Sequence, residues 1–561
     1  MAADRGYASE PTFAGTLGCA LEKEVTAACW DLAAWKAPRR DALPDATSSV
    51  AHAVRRLMRN VSRAQMPEPR VLHCHWSEGV QQDSSGTIRA KAEGDQEGGP
   101  EVKTIIAGGT VVNSEGEYQA DVLVDGGRIV AVGLDLLRDG AEVVDASGAY
   151  VIPGGIDVHT HFQMPFGGTV SCERFDTGTK AAATGGTTMV VDFAMQAPGD
   201  TLMKTYADWR EMADGHVVVD YGLHMAVTQL TADTLAEIPL LVDEGVTSLK
   251  LFMAYKGVIM VDDATLLATL QKGKECGALV CVHAENGDVI DVLVKEHLAA
   301  GKTAPKYHLT TRPPAAESEA TRRAIMLAEI ADAPIYIVHV SCTRALDEIR
   351  AARDRGQAVY GETCPQYLAL SVDNFDVPGF EGAKFICSPP LRDKSNWPGL
   401  WAGLRTGDLS TVASDHAAFN YAGQKEMGLT EGFHKIPNGC PGVEHRLLIL
   451  HTLGVVGGEI SMPKLVDVFS SAPARLFGLY PQKGVIAPGS DADVVVFDPS
   501  VDAVISAATQ MQNIDYTPYE GMPVKGAVRT VLSRGEVVVS DGRWVGKEGA
   551  GRYVKAKPFV A

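Results

Sequence analysis

Two histidines one residue apart, His159 and His161 in Ile156-Asp157-Val158-His159-Thr160-His161, close an apolar run that reads as a β-strand. Side chains alternate across a strand, so residues i and i+2 project the same way. Neutral imidazole is the commonest protein ligand for zinc and its neighbours, and the pair is therefore half of a metal site. The same residue classes recur at the ends of other apolar runs. They are His283 in Val280-Cys281-Val282-His283, His339 in Tyr336-Ile337-Val338-His339 and Asp415 in Val412-Ala413-Ser414-Asp415. Singly, each has a plainer reading as a hydrogen-bonded core histidine or an aspartate capping a helix.

Lys250, in Ser248-Leu249-Lys250-Leu251-Phe252, is the odd member. An ammonium buried beside cations is strongly unfavourable, so a lysine there must be neutralised or modified. Reaction with carbon dioxide makes a carbamate, N6-carboxylysine, whose two oxygens can bridge two cations. Four histidines, that carbamate and Asp415 then hold two divalent metals roughly 3.5 to 4 Å apart with a hydroxide between them, an arrangement used for hydrolysis. Zinc is the default ion for such a donor set, with manganese, cobalt and iron compatible by ligand type.

These groups need a scaffold that brings distant strand ends together. Eight strand candidates alternate with helical patterns: Gly155 to Phe162, Thr187 to Phe193, Val219 to Val227, Ser248 to Met253, Ala278 to His283, Ile335 to Ser341, Ala358 to Glu362 and Thr411 to His416. Strands alternating with helices imply parallel pairing through right-handed crossovers, and eight of them close a TIM-like (β/α)8 barrel, whose chemistry sits at the C-terminal ends of the strands. Five strand ends carrying polar candidates agree with that placement. The competing fold, an open doubly wound sheet, lacks a Gly-rich phosphate fingerprint after the first strand.

Short Gly-punctuated strands also occur at both ends of this region, at Thr104 to Val132 and at Asp493 to Val539. They predict a small β-sandwich domain from residues 101–152 and 480–561, with the barrel at 153–479. Residues 1–100 read as a poorly structured extension, because Gln81 to Pro100 is rich in Gly, Ser, Glu and Asp and has no aromatic residue. Within it, Arg55, Arg56, Arg59 and Arg63 form an acid-free basic stretch resembling a targeting segment, too far from Met1 for a conventional one. His73-Cys74-His75 looks like a ligand cluster, yet nothing around it predicts a rigid frame.

The 561 residues carry 51 basic and 70 acidic side chains, a formal charge of -19 that argues against nonspecific nucleic-acid binding. No run of about 20 apolar residues predicts a membrane span. Ten scattered cysteines without CxxC spacing read as small buried hydrophobes of a reducing compartment. A cytoplasmic location is expected, or an organellar one if the extension is a targeting segment.

Longer motifs add a family resemblance over about Val102 to Tyr553. They are Pro153-Gly154-Gly155-Ile156-Asp157-Val158-His159-Thr160-His161, Gly185-Gly186-Thr187-Thr188, Phe252-Met253-Ala254-Tyr255-Lys256, Val282-His283-Ala284-Glu285-Asn286-Gly287, Gly361-Glu362-Thr363-Cys364-Pro365-Gln366-Tyr367, Ser388-Pro389-Pro390-Leu391-Arg392, Ser414-Asp415-His416 and Ile436-Pro437-Asn438-Gly439. In these the chain resembles the dihydropyrimidinase and D-hydantoinase family of the amidohydrolase superfamily. The resemblance implies that His159, His161 and Asp415 hold one metal, that His283 and His339 hold the other, and that carbamylated Lys250 bridges them. It implies further that Tyr255 donates to a developing oxyanion, that main-chain groups of Ser388 and Asn438 grip the ring amide, and that Asp415 moves the proton to the leaving nitrogen.

The implied reaction is opening of a dihydropyrimidine (dihydrouracil, dihydrothymine) or a 5-substituted hydantoin to an N-carbamoyl amino acid by the metal-bridged hydroxide. No nicotinamide, flavin or nucleotide is needed. In dihydroorotases an Arg follows His-x-His closely, whereas here the chain reads Phe162-Gln163-Met164-Pro165-Phe166, which suits an uncharged ring. Allantoinases share the metal motif. A noncatalytic scaffold like the collapsin response mediator proteins is the opposing class, disfavoured because the ligand set is complete. The family's C-terminal tail is similar to Gly549-Ala550-Gly551-Arg552-Tyr553, which implies a homotetramer.

Overall fold

The computed structural model describes residues 103–560 together with the short strands Val80–Gln82 and Ile88–Ala90. Residues 1–97 and 98–561 form two separate units. In the first, Val80 pairs antiparallel with Ala90 and Gln82 with Ile88. The basic stretch at 55–63 and His73-Cys74-His75 lie outside the described residues.

The larger unit contains an eight-stranded parallel sheet in sequence order: Gly155–Thr160, Thr187–Met195, Asp220–Ala226, Ser248–Phe252, Leu279–His283, Ile335–Ile337, Val359–Thr363 and Thr411–Val412. It curls until its ends meet. His161 N donates to His416 O at 2.9 Å, and His416 N to His159 O at 3.2 Å. This is the (β/α)8 barrel. Strands one to five are buried along their whole length, since helices cover them outside and side chains fill the inside. Helix Asp263–Cys276 shows how a sequence sets such an element. The Asp262 carboxylate accepts from Thr265 N at 2.8 Å at its start, and Gly277, at φ 75°, ends it.

Strands six and eight are shorter than the sequence predicts. They stop at Ile337 and Val412, shortly before His339 and Asp415, whose backbone is left-handed, at φ 40° and 51°.

The seam is stitched by fully buried Arg446. Its Nη1 donates to Ile156 O at 3.0 Å and Val412 O at 2.9 Å, its Nη2 to Thr187 Oγ1 at 3.0 Å, and Asp157 Oδ2 lies 3.6 Å from its Nε. Strands one, two and eight are thereby tied to one guanidinium. Nearby, a Cβ on Gly154 would fall 2.0 Å from Thr188 Oγ1, and one on Gly155 2.2 Å from the Phe469 ring, which accounts for the paired glycines.

Nine further strands from both ends of the unit make one ladder. Val494–Val504 runs antiparallel to Tyr150–Pro153, joining the two ends of the chain. Lys103–Asn113 pairs first with Ala141–Asp145 and then, beyond a register shift at Ile106/Gly109 where Gly108 takes φ 76°, with Tyr150–Pro153. Such a corner strand folds one ladder into two layers. Alternation sorts its side chains. Val494 and Val496 join Ile106, Val122 and Val151 in the layers' own core, whereas Val495 and Phe497 join the barrel's core.

Lys483 fastens this β-domain to the barrel, with Nζ 2.5 Å from Asp493, 2.8 Å from Asp220 and 3.2 Å from Asp491. The seven described cysteines are free thiols. Among the described residues no helix is long and apolar enough to cross a membrane.

Candidate active site

One cleft at the C-terminal mouth of the barrel is lined by His159, His161, Lys250, Tyr255, His283, His339, Ser388, Asp415 and Asn438. The metal-ligand and substrate-contact candidates read from the barrel sequence are therefore in the same place. Met164, Phe166, Met195, Phe252 and Ile259 supply its apolar wall.

Two groups of donors stand side by side. Asp415 Oδ1 is 3.2 Å from His159 Nε2 and 3.3 Å from His161 Nε2, and ligand atoms of these three residues lie within 4.8 Å of one another. The rings of His283 and His339 are 4.5 Å apart between centroids, and His339 is 5.4 Å from His159, so the groups adjoin. The second group has two imidazoles and Lys250, whose Nζ lies 5.0 Å from the Phe193 ring centroid and 5.2 Å from that of Phe252. Lys250 Nζ is buried with no hydrogen-bond partner, as are His161 Nδ1 and His339 Nδ1. A buried Lys250 amine with no partner among these side chains calls for a further group to satisfy it, and the histidine and carboxylate donors are those of a divalent transition metal.

Carboxylates behind the histidines fix which nitrogen faces the cleft. Glu362 Oε1 accepts a hydrogen bond from His159 Nδ1–H at 2.6 Å and leaves Nε2 toward Asp415. The same carboxylate accepts from His339 N at 3.0 Å and Tyr336 O–H at 2.9 Å. His283 bonds through Nε2 to Glu285 at 2.8 Å, so Nδ1 is its free nitrogen. Glu285 is paired in turn with Arg312, whose guanidinium lies 5.1 Å from the Tyr255 ring centroid. Partners of this kind orient metal-binding imidazoles. The reading of sequence motifs gave no role to Glu362, Glu285 or Arg312, although Glu362 ends strand seven and Glu285 lies two residues past His283.

Burial governs the protonation of the cleft. It holds His159 and His339 well below the ordinary imidazole value and lowers His283 against the opposing pull of Glu285, so all three are neutral lone-pair donors at pH 7. It brings the Lys250 ammonium down to about 8. Burial also pushes Asp415 up, but the net direction is down, through the hydrogen bond from His161 and the neighbouring Lys250 ammonium, and the carboxylate is ionised. The Tyr255 phenol is raised by burial, opposed by Arg312, and remains an O–H donor at neutral pH.

Backbone strain gathers at the same residues. Tyr255, His339 and Asp415 sit at φ 66°, 40° and 51°, conformations that cost on the order of 1–3 kcal/mol each and persist where surrounding structure over-determines them.

Comparison with known proteins gives the lineage. The amidohydrolase family model matches residues 150–538. The D-hydantoinase of Streptomyces coelicolor is 51% identical over 456 residues, covering 80% of this chain and 97% of its own. That of Geobacillus stearothermophilus is 51% identical over 458 residues, with 82% and 97% covered. The crystal structure of dihydropyrimidinase from Brevibacillus agri superimposes with a TM-score of 0.81 at 55% identity, over 82% of this chain and 100% of that one. A cleft built from barrel strand ends, a match through both the barrel and much of the β-domain, and identity above half place this chain in the amidohydrolase family, within its dihydropyrimidinase and hydantoinase branch.

Proposed function

We propose that this protein hydrolyses the ring amide of 5,6-dihydropyrimidines such as dihydrouracil and dihydrothymine, or of 5-substituted hydantoins, giving N-carbamoyl amino acids. The observation that carries the proposal is the convergence, in one cleft, of the histidine, lysine and aspartate set with Tyr255, Ser388 and Asn438. His159, His161 and Asp415 would hold one divalent metal and His283 and His339 a second, with Lys250 as its carbamate between them. Zinc is the ion the donor set favours. When bound, the metals supply Lewis-acid polarisation of a carbonyl and lower the pKa of water. Carbamylation answers the orphaned Lys250 Nζ, since the neutral amine reacts with carbon dioxide and releases one proton.

The rest of the chemistry belongs to the chain. A ring amide offers one N–H and one C=O and needs one acceptor and one donor. The carbonyls flanking Ser388 are engaged, Ile386 O by Gly439 N at 3.0 Å, Cys387 O by His308 Nε2 at 2.9 Å and Pro389 O by Tyr367 O–H at 2.7 Å. Among the described residues no protein donor reaches Ser388 O and no protein acceptor takes Asn438 N–H. These two take the ring amide. Tyr255 O–H donates to the carbonyl oxygen as negative charge builds on it, a contribution of about 2.7–4 kcal/mol for a well-placed donor. Ionised Asp415 accepts a proton and delivers it to the departing nitrogen. Met164, Phe166, Met195, Phe252 and Ile259 accommodate an uncharged ring, and Arg312, which lines the adjoining cavity beside Tyr255, is already paired with Glu285.

The test is metal content together with ring opening of dihydrouracil, a 5-substituted hydantoin, allantoin and dihydroorotate by protein grown with zinc and bicarbonate. About two metals per chain with opening of either of the first two rings is the expected result. A metal-free, inert protein, or one confined to allantoin or dihydroorotate, refutes the assignment.

A further inference from the structure

Lys425 is a fully buried ammonium without an acid beside it. Its Nζ donates to three main-chain carbonyls, Gly439 at 2.7 Å, Pro437 at 2.8 Å and Ile386 at 3.0 Å. Among the described residues no carboxylate lies within ion-pair distance of it. A buried cation with no counter-ion is an expensive choice for stability alone, so where its three acceptors lie is informative. Pro437 and Gly439 bracket Asn438, and Ile386 is two residues before Ser388. The two segments also touch directly through Gly439 N and Ile386 O at 3.0 Å. Gly439 itself admits no side chain, since at φ 143° a Cβ would fall 2.4 Å from Ala417 O. Next door, Gln424 donates to Thr169 Oγ1 at 2.8 Å and Val170 O at 2.7 Å, in the loop after strand one that carries Phe166.

We propose that Lys425 is a positioning residue, a three-donor clamp that fixes the separation of the Ser388 and Asn438 main chains so that a ring amide meets one acceptor and one donor at a set spacing. Chemistry makes lysine specific for the task. Three carbonyls converging on one point need three donors on one atom, which an ammonium has and a carboxamide or planar guanidinium has not. The inference rests on the ring-amide reading above for what the two segments hold, and on the hydrogen bonds alone for the clamp itself. The clamp touches no metal candidate, so it acts on ring binding and not on metal loading. Uniform binding lost from ground state and transition state alike raises KM and spares kcat.

The experiment compares the full chain with Lys425→Met, which keeps length and removes donors, and with Lys425→Arg. Metal per chain, kcat and KM for the ring the parent opens, and hydrogen exchange in peptides spanning 384–390 and 436–441 are measured. Expected for Lys425→Met are unchanged metal content, faster exchange confined to those two segments, and KM raised about tenfold or more with kcat within about threefold. Lys425→Arg, which keeps charge without convergence, is expected to resemble Lys425→Met. Parental KM and exchange in folded Lys425→Met overturn the proposal, as does loss of kcat and KM together with metal. If the parent opens no ring, the ring-amide reading falls while exchange still decides the clamp. If Lys425→Met does not fold, Lys425→Gln is read on the same scale.

Discussion

Glu362 gathers three donors inside the barrel, His159 Nδ1 at 2.6 Å, Tyr336 O–H at 2.9 Å and His339 N at 3.0 Å. Alanine at this position strands His159 Nδ1–H and His339 N–H, while the Tyr336 hydroxyl can turn to Thr411 Oγ1. A buried donor without a partner costs about 1–3 kcal/mol, so Glu362→Ala is expected to lose about 2–6 kcal/mol, against about 5–15 kcal/mol for a whole native domain. Glu362→Gln separates fold from chemistry. The retained Oε1 still accepts from His159 and His339, while the new amide donates to the Tyr336 oxygen, whose hydroxyl turns to Thr411 Oγ1. Shape survives, while the carboxyl behind His159, which burial pushes up to about 8 and which a cation bound at the imidazole would draw back toward the ionised form, becomes a neutral amide. Losing such a partner typically weakens metal binding 10–100-fold, about 1.4–2.7 kcal/mol. Chelator competition with metal counting measures that loss, and metal-free thermal melting measures the fold. Glu362→Gln should melt near the parent and bind metal 10–100-fold more weakly, and Glu362→Ala should melt far lower. Parental metal affinity in Glu362→Gln, or parental melting in Glu362→Ala, refutes the reasoning.

Lys250→Ala is expected to drop metal per chain, with partial recovery when acetate fills the vacated space, as read by elemental analysis; full metal without acetate would count against a lysine-derived ligand. Tyr255→Phe should lower kcat about 10²–10³-fold at unchanged metal content, the cost of one oxyanion donor, measured by steady-state kinetics. Arg446→Met leaves the Asp157 carboxylate buried without its cation and should destabilise the barrel by about 3–5 kcal/mol in denaturant titration. His224, which bonds Ser248 Oγ and Val158 O, is pushed down to about 3 by burial. Its contribution to stability is therefore whole above pH 6.5 and is lost as pH falls from there toward 3, at up to about 1.4 kcal/mol per pH unit. The acid limb of the stability profile should be shallower in His224→Gln by about that slope.

The barrel was legible because its strands are buried on both faces and so read as continuous apolar runs, those from two to five each followed by a helix with a side-chain cap, at Thr201, Thr231, Asp262 and Asn286. The site was legible because polar residues at the ends of such runs have few other reasons to be there. Partners contributed by other elements were less so. Glu362 satisfies the same strand-end criterion as Asp415, yet its three hydrogen bonds reach strand one, strand six and the loop beyond strand six, a meeting that spacing along the chain does not encode. Lys425 lies in a turn with no apolar periodicity around it, and only the fold brings Ile386 and Gly439 to its amine.

Side-chain phase is the deeper limit. Ile156, Val158, Met189, Val191, Leu279, Cys281, Tyr336 and Val338 pack in one cluster, and strands one, two, five and six can meet only inside the barrel. Strict alternation from Val158 would turn His159 outward, and from Val338 would turn His339 outward. Each breaks the phase by a different backbone device. In strand one, Asp157 and Thr160 pair with Val190 and Asp192, so a bulge inserts one extra residue just before the His-x-His pair reaches the cleft. In strand six, left-handed backbone at His339, shortly after the ladder stops, swings the imidazole inward. The i, i+2 rule correctly puts His159 and His161 on a common side, because it concerns only their relation to each other. Which side that is depends on a bulge, and a bulge at Val158 and His159 leaves no mark in residue type. The strain and irregularity thus fall on the residues that share the cleft, where rigid misalignment with the strand is what lets ligands from separate strands converge.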